Sequence, residues 1–276
     1  MQKPTEIITS RQNALVSLAS ALTERKYRRK EGLFRFDGRK LFLEALQANV
    51  PLAAVLLRES TADQILEFVG DKALPQGCRC VLLSDALFDR ISEEKSPDGV
   101  ICLSKSLDKL HKIVTIDKRI SDFVGPDAGR ILMLESVRDP GNLGTVIRTA
   151  RAFGISHLIL SSDCADIYHS RTARAAMGTL FTQSVLVAED FVGAVRELAQ
   201  TRAVYAAALD ERAARLGSFP VAQPIALVVG NEGHGLSAEV IRSCTSSVYI
   251  PMEPGVESLN AALAAAVLLW ELYRGN

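Results

Sequence analysis

The chain predicts an α/β protein: a small α/β domain followed by a larger one whose mostly parallel sheet carries helices on both faces. Three observations lead there. At 276 residues the chain is long enough for two cores. From Ile131 onward, short apolar runs alternate with longer stretches of helical period, the pattern of strands in a parallel sheet. Before residue 105 the alternation repeats on a shorter scale, as a compact unit of its own would.

In the first part, Asn13–Lys26 reads as a helix with Leu15, Leu18, Ala19 and Leu22 on one face. Leu33–Phe36 reads as a strand, Gly38–Gln47 as a helix, Leu52–Leu57 as a strand and Thr61–Phe68 as a helix. Cys78–Leu83 and Gly99–Leu103 read as two more strands. These place a first domain at 1–105. Residues 106–128, rich in charge and holding Gly125-Pro126-Asp127, read as a linker. A second domain then occupies 129–276. Its strands are expected at 131–135, 157–161, 184–188, 203–209, 225–230 and 247–251, and its helices at 142–153, 171–178, 190–200, 237–243 and 258–273. The last helix is apolar nearly all round, through Leu259, Leu263, Val267, Leu268, Leu269, Trp270 and Leu272, so it is expected to be buried.

Charge is balanced, 32 basic residues against 32 acidic, so no global field announces a nucleic acid. The distribution is uneven. Residues 1–48 hold ten Lys/Arg and five Asp/Glu, a net of five positive charges, and Arg25-Lys26-Tyr27-Arg28-Arg29-Lys30 supplies five of the bases. Such a run is either a solvated helix face or a phosphate-contacting patch. The five cysteines, Cys78, Cys80, Cys102, Cys164 and Cys244, are odd in number and scattered. With no signal peptide and no apolar run of transmembrane length, a reducing cytoplasm is expected. Cys78 and Cys80 read as packing residues, because no second Cys or His pair has metal-ligand spacing.

Three segments carry chemistry. In Met133–Gly154 an apolar run meets the turn Asp139-Pro140-Gly141-Asn142, and a helical pattern then brings Arg148 one and a half turns past Asn142. Strand, corner and helix put side chains at the carboxyl edge of a sheet, where open α/β folds bind ligands. Asn suits an N-cap at that corner. Ile225–Ser237 holds Gly230-Asn231-Glu232-Gly233-His234-Gly235, which is neither a G-x-G-x-x-G fingerprint nor a phosphate-binding loop. Ile250–Arg274 opens on Pro251 and leads through Ser258-Leu259-Asn260 into an alanine-rich helix.

Taken in this order, the three segments resemble the SpoU/TrmH family of S-adenosylmethionine-dependent RNA 2′-O-ribose methyltransferases, in the SPOUT superfamily. The resemblance rests on Asp139, Pro140, Asn142, Gly144, Arg148 and Ala150, then Gly230, Asn231, Glu232, Gly233, Gly235 and Leu236, then Pro251, Ser258, Leu259, Asn260 and Ala261–Ala266. Arg174-Ala175-Ala176-Met177-Gly178 is similar to a looser element of the family, with Ala176 where a serine is usual. The first domain, with Phe34–Arg39 and Ser96–Val100, is similar to the ribosomal-protein-like substrate-binding domain of many members.

What the resemblance implies goes further than any pattern of residues. It implies an α/β trefoil knot, a homodimer formed through the terminal helices, no membrane association and RNA as partner, ribosomal RNA before transfer RNA. It implies S-adenosylmethionine held on the backbone of Gly230, Ile250 and Leu259. Arg148 falls at the catalytic arginine position, with Asn142, Glu232, Ser258 and Asn260 framing it and the substrate, and no metal is called for. Arg25, Lys26, Arg28 and Arg29 become candidate RNA contacts. For Gly230 two readings stand together, close approach of a ligand and a purely conformational need. Asn260 and Ser258 also suit a helix start. A non-catalytic RNA-binding or assembly protein of the same fold is the alternative, opposed by the intact set of polar residues. A nicotinamide-dependent oxidoreductase lacks its fingerprint.

Overall fold

The computed structural model describes residues 4–107, 112–114, 119–125, 128–211, 213–218, 224–231, 233–256 and 258–274. The chain divides into two units, one of Met1–Leu107 with Asp166–Thr182, the other of Asp108–Ala165 with Gln183–Asn276.

The first unit runs β1 (Ile7–Ile8), α1 (Ala14–Ala21), α2 (Arg25–Glu31), β2 (Leu33–Asp37), α3 (Arg39–Gln47), β3 (Leu52–Arg58), α4 (Ala62–Val69), β4 (Arg79–Leu83), α5 (Asp85–Ile91) and β5 (Val100–Lys105). Its five strands lie in the order β1-β4-β3-β5-β2, with β5 antiparallel to both neighbours. Val16, Ala19, Leu22, Leu56, Val81 and Phe88 belong to one core beneath it.

The helix expected over 13–26 is two helices. Asn13 caps α1 by accepting from the Leu15 N–H at 2.9 Å. Glu24, with φ −96° and ψ 133°, is extended and starts α2. The break is stabilised by a side chain from beyond it: the Arg28 guanidinium donates to the carbonyls of Leu22 (2.8 Å) and Thr23 (2.7 Å), which the end of α1 leaves open. Helix α5 was not expected.

The second unit holds β6 (Lys112–Val114), β7 (Arg130–Leu134), α6 (Pro140–Ala152), β8 (His157–Ser161), then, after the excursion into the first unit with α7 (Ser170–Ala176), β9 (Ser184–Ala188), α8 (Phe191–Ala199), β10 (Ala203–Ala207), β11 (Ala213–Arg215), β12 (Ile225–Val229), α9 (Ala238–Ser243), β13 (Ser246–Tyr249) and α10 (Ala261–Arg274). The eight strands are parallel throughout, in the order β11-β13-β10-β12-β7-β8-β9-β6. β7 and β12 are buried at every residue, which is why they read as unbroken apolar runs. Part of the stretch read as a linker belongs to this unit: β6 pairs with β9, and the Glu197 carboxylate accepts from the N–H groups of Ile120 (2.9 Å) and Ser121 (3.1 Å).

β13 lies three places from β7 in the sheet, yet the helix that follows it returns to α6, which follows β7. Phe153 at the end of α6 meets Trp270 and Tyr273 of α10, with ring centroids 5.9 and 5.5 Å apart. Ala261, Ala262, Ala265, Leu268, Leu269 and Leu272 are buried; Leu263, Val267, Trp270 and Tyr273 are not. The expectation that α10 is covered all round therefore fails within the single chain.

The excursion is bound to the first unit by particular contacts. Tyr168 exchanges hydrogen bonds with the backbone of Leu107, Phe181 stacks near Phe36, and the Glu44 carboxylate accepts from the Gly178 N–H at 2.7 Å.

Candidate active site

Three adjacent parallel strands, β13, β10 and β12, end at one cavity of about 460 Å³. Its walls are the residues at those ends, Ala207–Leu209, Val229–Asn231 and Val248–Ile250, together with Gly233, Gly235, Met252, Ser258, Leu259 and the inner side of α10. This is the carboxyl edge of the sheet, and the volume falls in the range of small-molecule sites. Gly230, Ile250 and Leu259, named from sequence as backbone ligands of a cofactor, all line it, and Ser258 joins them.

Gly230 has a firmer explanation than the sequence supplied. A Cβ there would lie 2.4 Å from the Gly235 carbonyl group and 2.6 Å from the Leu236 nitrogen. The loop folds back onto its own start: Asn231 and Gly235 exchange backbone hydrogen bonds of 3.1 and 2.9 Å, and Gly235 has φ +65°. Gly230 is required by the chain's approach to itself. Asn231 secures the turn, its Oδ1 accepting from the Gly233 N–H and its Nδ2 donating to the Ser136 carbonyl, both at 2.8 Å.

Helix α6 begins at Pro140, and its cap is Asp139, which accepts from the Asn142 N–H at 2.8 Å; the expected Asn142 cap is displaced. The Asn142 Oδ1 accepts from Asn260 Nδ2 at 3.0 Å. Asn260 in turn caps α10, its Oδ1 accepting from Ala262 (2.9 Å) and Leu263 (3.3 Å). Capping thus falls to Asn260, and Ser258 stays exposed at the cavity. Asn142 and Asn260 tie the starts of two helices together, and Arg148 stands exposed on α6, six residues along. At 1.5 Å per residue that is about 9 Å from Asn142. Arg148 is not among the residues lining the cavity.

Sequence reasoning missed the support beneath the glycine turn. Ser136 has φ +56°, a conformation costly for a residue with a side chain. Its N–H donates to Ser161 Oγ (2.8 Å) and its hydroxyl to Asp163 (2.7 Å), which also accepts from Ser161 Oγ (2.6 Å) and Arg138 (2.9 Å). Desolvation would push the Asp163 carboxyl up, but the hydrogen bonds from Ser161, Ser136 and Arg138 and the Arg138 charge hold it down at about 2. Glu135 accepts from the Ser237 N–H at 2.8 Å, beyond the far end of the turn. Serines before a D-P turn carry no sequence signal for this.

Glu232 lies outside the described residues. Arg28, in the first unit, is a correction: only 5% exposed, it grips Asp166 through Nε (3.1 Å) and Nη2 (2.8 Å) besides the two carbonyls, so its charge is spent inside the fold. Arg25, Lys26 and Arg29 remain exposed. Cys78 and Cys80 are half-buried thiols pushed up to about 11, chiefly by desolvation, and no cluster suited to a metal occurs among the described residues. His157 is half-buried and held below its usual range by desolvation and by Arg202.

Among known proteins, the SpoU rRNA Methylase family model matches residues 129–270, and the MRM3-like substrate binding domain model matches 13–102. A Bacillus subtilis (strain 168) protein, 23S rRNA (guanosine(2553)-2'-O)-methyltransferase RlmP, is 32% identical over 266 residues, 96% of this chain and 98% of its own length. The 23S rRNA (uridine(2479)-2'-O)-methyltransferase of Streptomyces viridochromogenes is 29% identical over 97% of this chain and 91% of its own. The crystal structure of AdoMet bound rRNA methyltransferase from Sinorhizobium meliloti superposes with a TM-score of 0.80 at 28% identity, covering 98% of each chain.

Proposed function

The chain belongs to the SpoU rRNA methylase family, and from that premise we infer that it transfers a methyl group from S-adenosylmethionine to a ribose 2′-hydroxyl of ribosomal RNA. The observation that carries this reading is the cavity at the ends of β13, β10 and β12, walled by the glycine turn and the Ser258–Leu259 approach to α10. Apolar side chains and exposed backbone there suit an adenosine and a short aliphatic chain.

S-Adenosylmethionine, when bound, supplies a methyl group already activated on sulfur. The residues of this chain have the remaining work: to hold both partners in line and to help the weakly acidic hydroxyl lose its proton. The backbone of Gly230, Ile250 and Leu259 holds the cofactor. Arg148 grips the phosphate beside the target ribose and orients the 2′-hydroxyl, since a guanidinium offers a planar fork of donors and is too weak an acid to serve readily as a base. Asn142 and Asn260 set the position of α6, and so of Arg148, relative to the cavity. Ser258, exposed at the cavity, adds a hydroxyl to the polar frame, and Glu232 is a further candidate for the catalytic set.

The active form is a homodimer built on α10. Leu263, Val267 and Trp270 recur at helical spacing and are 59%, 39% and 52% exposed, an apolar stripe that a second copy would cover. Arg148 lies outside the cavity of its own chain, which supports an active site near the subunit interface. Arg25, Lys26 and Arg29 contribute phosphate contacts from the first unit. Five cysteines, odd in number and scattered along the chain, support a cytoplasmic setting, and no helix among the described residues is long and apolar enough to cross a membrane. Comparing 2′-O-methyl sites in ribosomal RNA from cells with and without the gene tests the reading. A ribosomal site lost with the gene is expected; loss confined to transfer RNA, or no loss, contradicts it.

A further inference from the structure

Asp163 lines no part of the cavity, yet it stands at the end of an unbroken series of hydrogen bonds that reaches the cavity wall. Its carboxylate accepts from Ser161 Oγ and Ser136 Oγ; Ser161 Oγ accepts from the Ser136 N–H; the Ser136 carbonyl accepts from Asn231 Nδ2; and Asn231 Oδ1 accepts from the Gly233 N–H. Ser136 is the link that needs holding. A serine at φ +56° relaxes to negative φ unless its neighbours prevent it, and a relaxed Ser136 would turn its carbonyl away from Asn231. Both serine hydrogen bonds that prevent this end on Asp163, directly or through Ser161.

We propose that Asp163 is a positioning residue for the cofactor cavity: through Ser161 and Ser136 it fixes Asn231, and with Asn231 the glycine turn that walls the cavity. The inference rests on reading that cavity as the S-adenosylmethionine site. It makes a requirement that ordinary structural support does not. What Asp163 supplies is the left-handed backbone of Ser136, and glycine adopts that conformation without a partner. Loss of Asp163 should therefore be repaired by Ser136→Gly.

The test is calorimetry of S-adenosylhomocysteine with the full-length chain and with Asp163→Ala, Ser136→Gly and the double variant, alongside thermal melting of each. Asp163→Ala is expected to weaken binding about tenfold, the scale of one left-handed residue released. In the double variant most of the lost affinity should be recovered, because adding Asp163→Ala to Ser136→Gly is expected to cost little beyond Ser136→Gly alone. In turnover, Asp163→Ala should raise KM for S-adenosylmethionine and leave kcat within about twofold. If Asp163→Ala does not fold, Asp163→Asn and its Ser136→Gly partner serve the same comparison. Unchanged affinity on loss of Asp163, or a loss that Ser136→Gly does not repair, overturns the proposal. Failure of the unaltered chain to bind either cofactor form overturns the cavity's reading first, and this inference with it.

Discussion

Arg28 on α2 and Arg148 on α6 are the same side chain in opposite surroundings. Arg28 sits in the most basic run of the chain, and its guanidinium is taken up by Asp166 and by the two carbonyls that end α1. Arg148 sits in a segment of ordinary charge, on a helix whose first turn is capped by Asp139 and tied to α10 by Asn142, and its side chain stands exposed. Local charge density pointed at the first arginine; motif spacing pointed at the second. The difference teaches that a charged side chain is available to a ligand only when the fold has no use for it, and that a run of like charges does not tell which members are available.

The largest expected effect is at Arg148. Arg148→Ala should lower kcat by about 10²–10³, the scale for removing one preorganised donor, and leave S-adenosylmethionine affinity unchanged by calorimetry. Arg148→Lys should also be poor, because a point charge does not replace a planar fork. Full activity in either would erase the contrast with Arg28.

Arg28→Ala should act on stability instead. It removes the nearer of Asp166's two arginine partners, leaving Arg25 at 3.9 Å and the Tyr168 N–H at 2.9 Å, and leaves two carbonyls without a donor, so urea unfolding of the full chain is expected to show a loss of about 2 kcal/mol. A loss below ~0.5 kcal/mol would return Arg28 to the solvated face. Gly230→Ala comes next. Its Cβ would collide with backbone of the same turn rather than with a movable side chain, so a penalty of about 1–3 kcal/mol is expected, seen as lower melting temperature and weaker cofactor binding together. Weaker binding with unchanged melting would favour ligand approach over chain approach. The smallest effect concerns the bases that α2 leaves exposed. Replacing Arg25, Lys26 and Arg29 by Ala should lower the log–log salt slope of RNA binding by about 0.7–0.9 per lost phosphate contact and leave stability nearly unchanged; an unchanged slope would remove the run from the RNA surface.

Much of the second unit was legible. β7 and β12 are buried on both faces and so read as continuous apolar runs, and the three site segments stand in order in the chain. Gly230, Ile250 and the adjacent pair Ser258 and Leu259, from separate segments of the chain, line one cavity. What could not be read depended on distant parts of the chain. The break between α1 and α2 is stabilised by Arg28 from the following helix, and no periodicity records that. The excursion at Asp166–Thr182 is tied to the first unit by Tyr168, Phe181 and Gly178, each an ordinary residue until its partner is known. α5 carries a signal in Leu87, Phe88 and Ile91, but seven residues are too few for a period to stand out. Asp163 was silent because its effect passes through the backbone of Ser136.

The most direct test of the central claim is methyl transfer itself. The purified full-length chain and its Arg148→Ala variant would be incubated with methyl-labelled S-adenosylmethionine and ribosomal RNA isolated from cells lacking the gene, and the RNA digested to nucleosides. The account predicts label in a 2′-O-methylated nucleoside with the unaltered chain and a loss of about 10²–10³ in rate with the variant, at equal cofactor affinity. Label on a base, no transfer to ribosomal RNA, or equal rates from the two proteins would contradict it.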